Sequence, residues 1–233
     1  MCSGTTTLLS LFRLAQISDS AFPVGSFSFS LGLEAAVAEG IVDDEASLEE
    51  FTRGALYSAA EGDGIALLEA YRAAEDEDFE RLAVADRHIY AFKAAEENRA
   101  MSVKMGRRLA ELLLSIAPCH LSQEVARLIR QKQMVGTYPA VQAVASVVLE
   151  AGEKALFAAH LYGVAATILS AALRLMRLSH FESQRILYRV GPLCQGLYER
   201  YSELPLDQMS SFAPTLELCT SLHEKGKARV FMN

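Results

Sequence analysis

The stretch Ala155–Leu173, ALFAAHLYGVAATILSAAL, contains no formal charge. Its length alone would suit a bilayer, which a helix of about 20 apolar residues can cross. Seven of its residues are alanine, however, and His160, Thr167 and Ser170 interrupt it. That composition suits a central helix hydrophobic on all sides and buried by other helices, with no membrane. The alanines and Gly163 let those neighbours approach closely. A helix that must be surrounded needs partners of its own kind, so the stretch points to an all-α fold, one domain packed around a central apolar helix.

Downstream, Ser179 or His180 leads into a helix over 182–190 that Gly191-Pro192 breaks. A helix over 193–204 stops before Pro205. Pro214 suits the first turn of a last helix, from 215 to about 225, with Leu216, Cys219 and Leu222 as its apolar side. Upstream, 140–149 is rich in Ala and Val. A helix over 121–135 has a basic side of Arg127, Arg130 and Lys132. Met101, Met105, Leu109 and Leu112 share the apolar face of a helix that Pro118 ends. The acidic run Glu75-Asp76-Glu77-Asp78 suits a helix N-terminus. The pattern Ser47-Leu48-Glu49-Glu50 is a capping box that opens another helix, which Gly62 and Gly64 break or bend. Two more helices are expected at 8–17 and 31–39, the second stopping at Gly40. The total is about nine or ten, with no repeat or linker.

Bulk properties agree. Of 233 residues, 51% are hydrophobic and 22% charged, and Trp is absent. This is ample material for a core and unlike a disordered chain. The net charge of −7 is uneven: residues 34–97 carry 18 acids against 5 Lys/Arg, and residues 98–233 carry 10 against 16. An acidic end and a basic end could steer partners or align copies, or simply solvate helix faces. No dense basic stripe with interleaved aromatics occurs, so nucleic acid is not an expected partner. The four cysteines are scattered without a CxxC. With no signal peptide evident, they fit a reducing cytoplasm.

Residues 18–34 read SDSAFPVGSFSFSLGLE. Three phenylalanines stand among serines, glycines and a proline. Such a loop either folds inward against the helices or is covered by another chain. Pro23 fixes its own φ, Gly25 permits φ values closed to side chains, and the serine hydroxyls can cap the helix that follows. At the other end, Lys225, Lys227 and Arg229 alternate with small or apolar residues, and Val230-Phe231-Met232 forms an apolar tip. A basic tail with a hydrophobic end can order on a partner.

Familiar catalytic signatures are missing. Gly25-Ser26-Phe27-Ser28-Phe29 lacks the second glycine of a nucleophile elbow. Gly226-Lys227 has no phosphate-loop glycine upstream, and His223-Glu224 is not followed by the second histidine of HExxH. Cys119-His120 is the one adjacent soft-ligand pair. It suggests an alternative reading, a stand-alone helical small-ligand-binding protein or enzyme with its site among Cys119, His120, Tyr138 and His160. A metal carrier is a third reading, which the dispersed histidines disfavour.

Gln16, Asp19-Ser20, Phe22-Pro23-Val24-Gly25, Phe27-Ser28 and Gly32-Leu33-Glu34 resemble the N-terminal signature of the UreF family of urease accessory proteins. Phe212-Ala213-Pro214, His223-Glu224 and Arg229-Val230-Phe231 resemble its C-terminal one. Between them Met105-Gly106-Arg107-Arg108-Leu109, Tyr138-Pro139 and Ser183-Gln184-Arg185 are similar as well. Lys227-Ala228 stands where the family usually has Tyr-Ser, Thr137 where it has His, Gln142 where it has Gly, and Ser179-His180 where it has Gly-Gln.

The resemblance implies one helical domain over 1–233 with a flexible segment 1–7 and a tail 226–233. It implies a non-enzymatic, cytoplasmic homodimer without cofactor or resident metal. Its partners would be the accessory protein UreD (UreH in some bacteria), the GTPase UreG and apo-urease, in GTP-dependent nickel insertion. Phe22, Pro23, Gly25, Ser26, Phe27, His223, Glu224, Arg229 and Phe231 would form the surface facing UreD.

Overall fold

The computed structural model describes residues 7–19, 21–25, 29–210 and Phe231. Among them are the helices α1 (Leu8–Ser18), α2 (Leu33–Ala38), α3 (Glu45–Ala59), α4 (Ile65–Glu75), α5 (Phe79–Phe92), α6 (Glu96–Ile116), α7 (His120–Arg130), α8 (Tyr138–Val148), α9 (Glu153–Leu175), α10 (His180–Val190) and α11 (Leu193–Tyr201). A π-helical turn, Ala60–Gly64, joins α3 to α4 without a break, and a 3-10 turn covers Leu206–Gln208. With α3 and α4 taken as one rod, the expected all-α architecture of about nine or ten helices is present. The expected last helix, over 215–225, lies outside the described residues.

Helix α9 is central. It packs against α1, α2, α3, α4, α8, α10 and α11. Leu156, Phe157, His160, Leu161, Ala165, Ile168, Leu169, Ala171 and Ala172 are its buried side. It is not hidden on every side, as the sequence suggested. Half of its most apolar window is buried, and Ala158, Tyr162 and Gly163 are exposed. Uniform hydropathy could not reveal this open stripe, because alanine and glycine are neutral about which way they face.

The cap positions correct several boundaries. Asp44, not Ser47, starts α3: its carboxylate accepts from the Ser47 amide at 2.8 Å, and the Ser47 hydroxyl accepts from the Asp44 amide. Ser47 is therefore the returning half of the capping box. Asp78 caps α5, its carboxylate accepting from the Arg81 amide, so the acidic run does its expected work through its last member. Ser179 and Glu182 form a true capping box on α10. On α6 the buried face is Ser102, Met105, Gly106, Leu109, Ala110 and Leu113, while Met101 and Leu112 are half-buried at its edge. Helix α7 ends at Arg130, five residues earlier than expected, because Lys132 turns to φ 60°.

Gly62 and Gly64 do not end the rod, which runs through them as a π-helical turn. A Cβ at Gly62 would lie 2.9 Å from the Phe92 ring, and one at Gly64 would lie 2.9 Å from the Phe157 ring. The glycines allow two aromatic rings to press against the π turn.

Asp86 on α5 is fully buried. Its carboxylate accepts from the amides of Val135, Gly136 and Thr137 at 2.7, 2.9 and 2.8 Å, and from the Thr137 hydroxyl at 2.6 Å. A buried carboxylate needs such donors to offset its lost hydration. Two of these residues, Gly136 and Thr137, press on α6, where a Cβ at Gly106 would fall 2.3 Å from the Gly136 carbonyl oxygen.

The charge asymmetry is partly closed within the molecule. Arg185 and Arg189 of α10 pair with Glu45 of α3, and Arg189 also with Glu49. Arg185, then Arg189, holds the Glu45 carboxyl below its ordinary range. Arg72 of α4 grips Glu153 of α9 with two bonds at 2.9 and 3.0 Å, and the Tyr198 hydroxyl of α11 donates to the same carboxylate at 2.6 Å.

Gly106→Ala should destabilise the fold by about 1–3 kcal/mol or more, because backbone opposes the new methyl group. Gly196→Ala on α11, where nothing lies within 4 Å of the added Cβ, should be neutral or stabilise by up to about 1 kcal/mol. Urea denaturation of both variants checks the pair.

Candidate partner-binding surface

The described residues of the N-terminal loop fold inward. Asp19 starts its turn, its carboxylate accepting from the Ala21 amide at 2.6 Å and its carbonyl from the Phe22 amide at 3.0 Å. Val24 and Phe29 are buried, Phe22 is half-buried against the core, and Pro23 and Gly25 are exposed. Gly25 has φ +89°, the left-handed geometry for which its lack of a side chain suits it. Ser30 supports the start of α2: its carbonyl accepts from the Leu33 amide at 3.2 Å.

Phe231 joins this end of the molecule. Its amide donates to Glu34 Oε2 on α2 at 3.1 Å. The Arg174 guanidinium of α9 lies 4.0 Å from the centre of its ring. The ring is 5% exposed, so it docks on its own chain. Arg174 also lines a cavity whose wall includes Val24 and Phe29. Phe231 thus meets Glu34 at the end of the 18–34 stretch and shares Arg174 with the cavity that Val24 and Phe29 line. Ser26, Phe27, His223, Glu224 and Arg229 lie outside the described residues. Sequence reasoning passed over Arg174, whose position at the end of the apolar stretch was the available signal.

The cavity, of about 400 Å³, lies between the N-terminal segment, α3, α6, α8 and α9. It divides the four residues of the alternative reading. Tyr138 and His160 line it together. Cys119 and His120 do not: the Cys119 amide donates to the Ser122 hydroxyl at 2.9 Å, and His120 faces Glu77 and the edge of the Phe79 ring. Asp63 and Lys93, an ion pair at 2.5 Å, also line the cavity. Neither was singled out in the sequence, where Asp63 looked like part of a helix break. Among the described residues no three His, Cys, Asp or Glu side chains are grouped to hold a metal ion.

His160 donates from Nδ1 to the Gln142 amide oxygen at 2.9 Å. Burial lowers its pKa from 6.5 to about 4, Lys93 adding to the shift and Asp63 opposing it. Burial pushes the Tyr138 hydroxyl up to about 12. Both groups are therefore neutral near pH 7.

Residues 42–191 match the UreF family model. A Brucella suis protein named Urease accessory protein UreF 2 is 42% identical over 99% of this chain and 95% of its own length. A Brucella melitensis protein named Urease accessory protein UreF 1 is 41% identical over 99% and 96%. A Yersinia pseudotuberculosis protein named Urease accessory protein UreF is 37% identical over 96% and 98%.

The unfolded chain protonates His160 near pH 6.5, whereas the folded chain resists until about 4. Stability from this group is complete above about pH 6.5 and falls toward about pH 4, by up to about 1.4 kcal/mol per pH unit. In urea melts from about pH 7 down to about pH 5, wild type should lose stability more steeply than His160→Gln. Parallel losses would show that another group dominates.

Proposed function

Because the chain belongs to the UreF family of urease accessory proteins, we propose that its part in urease maturation is that of a non-enzymatic, cytoplasmic scaffold. As a homodimer it binds UreD, recruits the GTPase UreG and docks on apo-urease, where GTP hydrolysis drives nickel insertion. The observation that carries this reading is the family relationship along nearly the whole chain. The bond from Phe231 to Glu34, which closes the 18–34 stretch, supports one surface for UreD made from the two ends of the sequence. Phe22, Pro23, Gly25, Ser26, Phe27, His223, Glu224, Arg229 and Phe231 are its proposed members. Apolar anchors and an arginine are residue types that concentrate binding energy. In this role Phe231 exchanges its contact with Arg174 for one with the partner.

Light scattering on a sizing column tests the reading. The chain alone should run as a dimer and shift to a larger species with its UreD homologue. Deleting residues 226–233, or Arg229→Ala, should leave the helical circular dichroism unchanged and weaken the complex by about tenfold or more, as for loss of a hot spot. A truncated chain that binds at full strength removes the tail from the interface.

A further inference from the structure

Helix α1 is apolar on both of its faces. Ser10, Leu14 and Ile17 form its buried side, and the helix packs on α9. On the opposite side Leu8, Leu9, Leu11 and Phe12 are 88, 53, 49 and 73% exposed. Leu8, Leu11, Phe12 and Ala15 follow the spacing of a single helix face, one to two turns long. An outward face usually carries charge, yet the one charged residue of α1 is Arg13, which is half-buried. The four large side chains present roughly 400–500 Å² of apolar surface, the size of the largest patches on soluble monomers, which are often functional.

The stripe is complementary to itself. Two copies of α1, antiparallel about a two-fold axis between Leu11 and Phe12, set Leu8 against Ala15 of the other copy and Leu11 against its Phe12. Each contact is made twice, as an isologous interface requires. Large side chains meet small ones at the two ends, which lets the helices approach. Beyond them the exposed Thr7 and Gln16 face each other and supply an uncharged polar rim. Charge favours the same occupant. The chain carries −7, and 18 of its acids lie in residues 34–97, so two copies repel across much of their surface. On α1 they meet without opposing carboxylates. Two stripes with their rims remove roughly 1,000 Å² from water, where specific interfaces begin. We propose that two copies of this chain pair through the outer stripe of α1, antiparallel across Leu11 and Phe12. The proposal rests on the homodimer of the proposed function and names its face.

Light scattering of full-length variants over a range of concentrations reads the pairing. Phe12→Glu and Leu8→Glu should each keep the helical circular dichroism and raise the dimer dissociation constant about tenfold or more. Leu8→Glu combined with Ala15→Lys should restore the dimer, because each new carboxylate then meets the new ammonium group of the other copy. Within one helix those positions lie two turns, about 10 Å, apart. A monomeric wild type overturns both this proposal and the homodimer reading. A dimeric wild type whose dimer survives Phe12→Glu overturns this proposal alone, and loss of UreD binding in that variant then assigns the stripe to the partner protein. Should Phe12→Glu fail to fold, the other two variants decide. A double variant no more dimeric than Leu8→Glu overturns the antiparallel pairing.

Discussion

A single buried carboxylate organises one side of this protein. Asp86 sits where no water can solvate it, and four donors around the α7–α8 turn satisfy it. Three of those donors are backbone amides, so the turn is held by its chain path and not by side-chain identity. The turn then fixes where α8 begins. Pro139 at the first helical turn, with the Tyr138 amide donating to the Ser102 hydroxyl, completes that start. Almost every residue of α8 is buried, and Tyr138, Pro139 and Gln142 wall the cavity. Placement of the cavity thus follows from a charge in a neighbouring helix, some fifty residues earlier in the chain.

Helix periodicity and its interruptions were legible in the sequence. The helices were expected close to where they occur, because apolar spacing and Gly/Pro punctuation are local signals. Cap identity was less legible: Asp44 and Ser47 both have cap chemistry, and three-residue spacing alone does not say which of them faces the free amides. The open stripe on α9 was illegible for another reason. A run of small residues has no amphipathic phase, so only the packed neighbours decide which side stays uncovered.

The proposed partner surface rests on motifs more than on physics. The conformational freedom of Gly25 followed from local preferences, whereas folding inward was one of two readings the sequence left open. The docking of Phe231 on Arg174 and Glu34 did not, since that contact joins positions nearly two hundred residues apart. Asp63, Lys93 and Gln142 show the same limit. Asp63 and Lys93 look ordinary along the chain, Gln142 stands out only as a departure from the family's glycine, and each gains meaning from a side chain that the fold brings beside it.

The π turn between α3 and α4 joins two packing layers. Helix α3 lies against α9 and α10, while α4 lies mainly against α5 and α8 and touches α9 as well. One uninterrupted rod serves both sets because the turn offsets its phase between them. Each residue added or removed there would rotate one half against the other by about 100°. The segment Ala60–Gly64 should therefore keep its length through evolution even where its composition drifts, and insertions in this family should collect in the loops instead.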